Sequence, residues 1–268
     1  MAEARALTPH DPVFLPLFGG LIALAWILLA AWGLSPWAPY LDHDWTRLGL
    51  LASLCRADTA GPLLAGLAIG ALAWLLMSAA MMLPSTLTLI AAFRGLAARQ
   101  SHGGRLLALL LAGYLLAWLG FGLLAHAAGL ALAAVAASSS WLVLNGWAIA
   151  AAILLLSGLF QFSPLKSHCL NGCHSPVKFI LDHWTGRRPG RESFEIGVFH
   201  GLYCIGCCWA LMLIMFAVGT ANLAWMLLLA AVMAVEKNSP WGRRLSRPLG
   251  IVLMTGAAAL AAGEILHL

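Results

Sequence analysis

The residues best suited to chemistry are the cysteines, because five of the six lie between positions 169 and 208. Cys204, Cys207 and Cys208 occur within five residues of one apolar run, and His200 precedes them. At about 100° per residue these side chains share one helix face, with the three sulfur atoms within about 6 Å of axial rise. Thiolates bind soft metal ions, and a thiolate in hydrocarbon needs a compensating cation. The pattern therefore favours a metal ion at the three cysteines. His200 is also a candidate metal ligand, although at about 12 Å from Cys208 along the axis it would not share an ion with Cys208.

A second pair of cysteines precedes this run with the spacing CxxxC. Cys169 and Cys173 are each flanked by a histidine, His168 and His174. In a helix both sulfur atoms would share one face, and a turn around residues 171–172 would also bring them together. In a reducing compartment, metal or redox chemistry is favoured over a structural disulfide. The alternative is a pair of inert thiols in a polar loop.

Methionines add a softer set of possible ligands. Met77 and Met81 are four residues apart and share a helix face, and Met226 lies in a later apolar run. Axial rises of about 1.5 Å per residue place these thioethers near the depth of the residue 204–208 cysteines. A mixed thiolate and thioether set favours copper(I) over zinc or magnesium. We therefore predict one sulfur-rich layer, against the alternative that the methionines are apolar filler.

The elements that must position these residues are membrane helices. Hydrophobic residues make up 62% of the 268-residue chain and charged residues only 9%, against about 25% charged in soluble domains. We predict an all-α, polytopic membrane helix bundle with seven spans, and expect Pro84 to bend the second. The predicted spans are 14–34, 61–93, 105–136, 141–161, 195–218, 221–236 and 249–266.

Lys and Arg residues in the loops set the expected orientation, since they are retained on the cytoplasmic side. With the N-terminus inside and the C-terminus outside, 13 of the 15 cations fall on the cytoplasmic side. The net charge of +5 then reflects topology and contact with anionic lipid, and nucleic acid is excluded as a partner because no soluble basic domain exists. We expect one domain, 1–268, in the inner (plasma) membrane, with the lipid bilayer as partner and segment 162–194 as a cytoplasmic Cys/His loop.

Two polar features of the sixth run have simpler expected roles. Asn222 is placed to cap that helix or to hydrogen-bond across helices. Glu236 and Lys237 at the other end are expected to form an interfacial pair, with the lysine reaching out to water.

Over residues 61–240 the chain resembles a bacterial family of uncharacterised integral membrane proteins labelled "predicted metal-binding". The resemblance rests on the WxxMxxAMMxP run from Trp74, the PLKxxCLxxCxxP run from Pro164, the HG…CxGCCWALM run from His200, the GxxNLxWM run from Gly219 and the pair 236–237. It implies metal binding within a membrane helix bundle and names no substrate.

Three functions remain open at this point. The first is copper(I) handling or transport, with Cys169, Cys173 and their histidines exchanging the ion with a donor or acceptor protein at the cytoplasmic face, and zinc or no metal as alternatives to copper. The second is a copper-dependent membrane oxidoreductase acting on an apolar substrate. The third is a membrane thiol–disulfide relay that uses the pairs 169/173 and 207/208.

Overall fold

The fold is all-α in the computed structural model, which describes residues 14–35, 63–98, 100, 102–139, 141–142, 145–218, 222–239 and 241–266. Within these ranges ten α-helices follow one another along the chain. They are α1 (Phe14–Gly33), α2 (Leu63–Met82), α3 (Leu87–Ala97), α4 (Gly103–Ala137), α5 (Trp147–Phe160), α6 (Pro164–His174), α7 (Pro176–His183), α8 (Pro189–Val218), α9 (Leu223–Asn238) and α10 (Gly242–Leu266).

Pro84 breaks the second apolar run, as the sequence predicts. A 3-10 turn, Pro84–Thr86, separates α2 from α3, and the two helices are bent by 49°. Proline cannot donate a backbone hydrogen bond, so nearby helix carbonyls need other donors. The Ser85 hydroxyl donates to the Met82 carbonyl oxygen over 2.7 Å, and the Thr86 hydroxyl donates to the Leu83 carbonyl oxygen over 2.9 Å.

Several helices are long and apolar enough to cross a membrane. Four qualify in the described part of the chain, namely α1, α4, α8 and α10, and the number rises to six if the bent pairs α2/α3 and α5/α6 each form one span. Helix α9 has only 16 residues, fewer than the roughly 20 that a bilayer core needs. A helical protein with membrane-length helices is thus confirmed, whereas the count of seven spans and the orientation of the termini stay predictions.

Helix α8 is the centre of the bundle, and small residues let α4 approach it closely. A Cβ added at Gly197 would lie 2.0 Å from the Leu110 carbonyl oxygen, and one added at Gly113 would lie 2.3 Å from the Phe194 carbonyl oxygen. Glycines on both helices therefore permit backbone contact that no larger residue would allow. This contact fixes the rotation of α8 and hence the direction in which its cysteines point.

Candidate metal-binding site

Most of the sulfur atoms in the chain lie in one buried core. Five of the six cysteines and seven of the nine methionines belong to it, and each of these side chains is at most 8% exposed. We call this set the sulfur core; its members are Met77, Met81, Met82, Cys169, Cys173, Cys204, Cys207, Cys208, Met212, Met215, Met226 and Met233. The structure therefore brings the predicted methionines 77, 81 and 226 into the same core as the cysteines. The sixth cysteine, Cys55, lies outside the described residues.

Helix α6 carries the CxxxC pair into this core. Proline at the first helical position and the Ser163 hydroxyl, which accepts a hydrogen bond from the Leu165 backbone N–H, start the helix. The helix docks where α8 has a glycine, because a Cβ on Gly206 would lie 2.6 Å from the Cys169 Sγ. Cys169 and Cys173 are consequently buried, at 8% and 4% exposure. Of the two sequence-based alternatives the helical one is correct, and the thiols face the bundle and not a polar loop.

The thiols of α6 and α8 form a connected group. The thiols of Cys173 and Cys207 interact electrostatically across α6 and α8, and the Cys208 thiol interacts in the same way with those of Cys204 and Cys207. The thiols of Cys207 and Cys208 also donate to the Cys204 carbonyl oxygen, over 3.0 and 2.9 Å. All five described cysteines are free. We call these five residues, 169, 173, 204, 207 and 208, the thiol cluster.

Lys237 points into the thiol cluster, so the prediction that it reaches water at the interface is wrong. It is 4% exposed, and its Nζ lies 2.8 Å from the Cys204 Sγ, 3.6 Å from the Cys208 Sγ and 3.4 Å from the Ser85 Oγ. The bend at Pro84 causes this burial, because the 3-10 turn packs over the end of α9, where the Asn238 side chain donates to the Pro84 carbonyl oxygen.

Tyr114 is a second polar neighbour of Cys204 that the sequence did not reveal. Its hydroxyl lies 3.1 Å from the Cys204 Sγ and 3.5 Å from the Met82 carbonyl oxygen, and the residue is 1% exposed. In sequence it is one aromatic residue in an apolar helix, with nothing to separate it from ordinary packing. The Cys204 thiol therefore contacts both the Tyr114 hydroxyl and the Lys237 ammonium group.

Glu236 is buried as well, which corrects the other half of the predicted interfacial pair. Its carboxylate accepts hydrogen bonds from the Lys166 Nζ at 2.8 and 2.9 Å and from the Ser246 hydroxyl at 2.8 Å. Lys166 is 1% exposed and also donates to the Gln161 side chain. The ion pair joins α6 to α9, and Ser246 adds α10, so it holds the CxxxC helix against the bundle.

The histidines do not join the thiol cluster. His200 is 3% exposed and packs against the rings of Tyr114 and Phe179, with centroids 6.0 and 5.7 Å away; within the described structure its Nδ1 has no hydrogen-bond partner. The His174 Nε2 instead contacts the Glu236 carbonyl oxygen at 2.8 Å, and the His168 ring lies 6.1 Å from that of Tyr203. The assignment of His200 as a metal ligand stays a prediction, and the structure places this residue outside the thiol cluster.

The donor set fits a soft cation of low coordination number. Over the ranges that the structure describes, no group of three or more His, Cys, Asp or Glu side chains is arranged to hold a metal ion. Cys173 of α6 and Cys207 of α8 nevertheless interact electrostatically inside a core that also contains thioethers. Soft sulfur donors of this kind select copper(I), while harder ions need oxygen or nitrogen ligands.

Fold and site together define an all-helical protein with membrane-length helices and a buried sulfur-rich core. Residues 71–260 match the family model PpoB2, described as a copper chaperone, and because the match covers most of the chain, the protein belongs to this family. The family agrees with the metal-binding resemblance expected from the sequence and makes copper the relevant metal for the family. No curated protein and no solved structure matches the chain.

Proposed function

We propose that the protein is a membrane copper(I) chaperone that holds the ion in the sulfur core and exchanges it through the thiols of α6. The observation that carries this proposal is the meeting of two cysteines of α6 and three cysteines of α8 within a core that also contains seven methionines. Membership of a family described as a copper chaperone supports it independently.

The chemistry of the core explains why copper(I) would be retained there. Sulfur ligands are soft, and the low-dielectric surroundings strengthen attraction between thiolates and a cation. Burying thiolates without a cation in such a core would cost free energy. Binding of a cation therefore favours ionisation of the thiols, and ionised thiols bind the cation more tightly. Cys204, Cys207 and Cys208 with Cys173 are the proposed primary ligand group, and the methionines are weaker, exchangeable ligands.

The position of α6 suggests where copper enters and leaves. Among the helices of the thiol cluster, α6 is the short one, and it follows α5 after a 64° bend. The distribution of Lys and Arg supports a position of this side of the bundle at the cytoplasmic face of the inner membrane. A copper donor or acceptor protein would therefore reach Cys169 first, with His168 beside it and the deeper thiols behind.

Copper stoichiometry tests the proposal. The protein is purified in detergent under reducing, anaerobic conditions, loaded with copper(I), dialysed and measured by elemental analysis. We expect about one copper per chain for the wild type and none for a Cys207→Ala/Cys208→Ala variant of equal helicity. Met254→Leu, which removes a sulfur atom outside the sulfur core, should bind as much copper as the wild type. Equal copper in the wild type and the double cysteine variant would refute the proposal.

A thiol–disulfide relay is the second candidate, and the electrostatic interaction between the Cys173 and Cys207 thiols favours it. Oxidation of this pair would lock α6 to α8 and would need an external oxidant. The two functions differ in a direct measurement. A relay binds no stoichiometric copper and accumulates a mixed disulfide with its partner when Cys173→Ala leaves Cys207 unresolved, whereas a chaperone binds copper and shows no such species.

A further inference from the structure

The thiol cluster contains a buried ammonium group that the copper chemistry above does not use. The Lys237 Nζ approaches the Cys204 Sγ at 2.8 Å, the Cys208 Sγ at 3.6 Å and the Met82 Sδ at 3.9 Å. The side chain is 4% exposed, so water does not screen its charge. A buried cation of this kind requires a negative partner nearby.

The nearest carboxylate along the chain cannot be that partner. Glu236 is the adjacent residue, but its two carboxylate oxygens accept hydrogen bonds from Lys166 and Ser246. The pair of Glu236 and Lys166 is neutral by itself. Among the described residues, the hydrogen-bond partners of Lys237 are sulfur atoms and the Ser85 hydroxyl. Its positive charge is therefore left for the thiol cluster to balance.

The charges of the cluster can be added for each metal. Copper(I) with two thiolates carries a net charge of −1, and the Lys237 ammonium brings the total to zero when the other thiols are protonated. Zinc(II) with the same two thiolates is neutral, so Lys237 would leave an uncompensated positive charge in the core. The difference does not depend on which cysteines ionise. For any number of thiolates, zinc(II) brings one positive charge more than copper(I), so the fixed charge of Lys237 disfavours zinc(II) more strongly.

From this juxtaposition of a buried ammonium group and the thiol cluster we propose that Lys237 is the counter-cation of bound copper(I) and makes the site select a monovalent over a divalent metal. The inference rests on the proposed function, since it needs copper at the cysteines. Lys237 does not ligate the ion; it acts through charge at a distance set by Cys204 and Cys208. Ser85 and Tyr114 fix the arrangement by contacting the ammonium group and the Cys204 sulfur, respectively.

The test is a competition measurement on the full-length protein in detergent. Dissociation constants for copper(I) and zinc(II) are measured anaerobically with chromophoric chelators, and their ratio is compared between the wild type, Lys237→Gln and Lys237→Met. Removing a unit charge a few ångströms from the ion should shift the ratio toward zinc by roughly 100-fold. Lys237→Arg retains the charge and should keep the ratio near that of the wild type.

Lys178→Gln is the matched control. Lys178 is an exposed lysine of α7, so this variant loses the same formal charge without touching the core, and its ratio should equal that of the wild type. A shift of less than about threefold in the two neutral Lys237 variants, in protein with wild-type helicity, would overturn the inference. If the neutral variants do not fold, the inference rests on Lys237→Arg, and a 100-fold shift toward zinc in this charge-retaining variant overturns it.

Failure of the inference and failure of the proposed function give different results. If the wild type binds copper that depends on Cys207 and Cys208 while the Lys237 variants keep the wild-type metal ratio, only the inference is wrong. If the wild type binds no copper, or binds it equally without those cysteines, the proposed function is wrong and the inference falls with it.

Discussion

The buried ion pair between Lys166 and Glu236 should control both the stability of the bundle and access to the thiols. The two side chains are 1% and 3% exposed, and the pair joins α6 to α9 at 2.8 Å. Lys166→Met leaves the Glu236 carboxylate with only the Ser246 hydroxyl as a polar side-chain partner in the described structure. Stranding one member of a buried pair destabilises a protein by about 3–5 kcal/mol, because the remaining charge has no compensation.

The double variant Lys166→Met/Glu236→Leu provides the matched comparison. It removes both charges and fills the space with apolar side chains, so we expect it to recover most of the loss and to unfold within about 1–2 kcal/mol of the wild type. Loss of packing would destabilise the single and the double variant alike. An uncompensated charge destabilises only the single variant, so the difference between the two variants distinguishes these causes.

Two assays follow the effect. Unfolding in detergent gives the change in stability, and the rate of thiol alkylation reports the release of α6. Cys169 and Cys173 are buried while α6 is docked, so the single variant should label these two residues faster than the wild type, and the double variant should not. A single variant that loses less than about 1 kcal/mol, with unchanged alkylation, would refute the reasoning.

Three further predictions concern packing, ligands and capping. Gly197→Ala should destabilise the bundle by about 1–3 kcal/mol, because its new Cβ would meet a backbone oxygen at 2.0 Å. Gly120→Ala has open space around the new Cβ, so it should stabilise the protein by up to about 1 kcal/mol. Thermal unfolding in detergent measures both changes. Met77→Leu combined with Met81→Leu should weaken copper(I) binding while costing less than about 1.5 kcal/mol of stability per site, as chelator competition and unfolding will show. Asn222→Ala should cost about 1 kcal/mol, because its side chain accepts the Trp225 backbone N–H at 3.3 Å.

Each of these predictions has its own control. Met254→Leu should leave copper affinity unchanged, and equal weakening by this variant and by the Met77/Met81 pair would show that the effect is general destabilisation. Asn222→Asp preserves the capping oxygen and should retain wild-type stability. If Gly197→Ala and Gly120→Ala change stability equally, the close contact between α4 and α8 is not the cause.

The residue pattern predicted the long apolar helices and a sulfur-rich layer between them, but it placed segment 162–194 in a loop where the structure has α6, α7 and the start of α8. Helix periodicity places Cys204 and Cys208 on one face, and the glycines of α8 indicate close helix packing. Both features depend on residues a few positions apart and can therefore be predicted from the sequence. The bend at Pro84 follows from the missing backbone donor. The capping role of Asn222 is local too, and the structure confirms it.

The polar contacts of the thiol cluster depend on tertiary structure and could not be predicted in the same way. A lysine at the end of an apolar run ordinarily reaches water, but the turn after α2 covers the end of α9 and directs Lys237 inward. Tyr114 and Lys166 reach their partners across 90 and 70 residues of sequence. No local pattern encodes those distances, so long-range packing decides which polar groups contact the cysteines.

Copper K-edge X-ray absorption of the copper(I)-loaded protein tests the central claim most directly. We expect a first coordination shell of sulfur alone, with lower sulfur occupancy and weaker retention of copper in the Cys207→Ala/Cys208→Ala variant. A shell of nitrogen or oxygen ligands, or a spectrum that is the same in the wild type and the variant, would contradict the assignment of the sulfur core as the copper site.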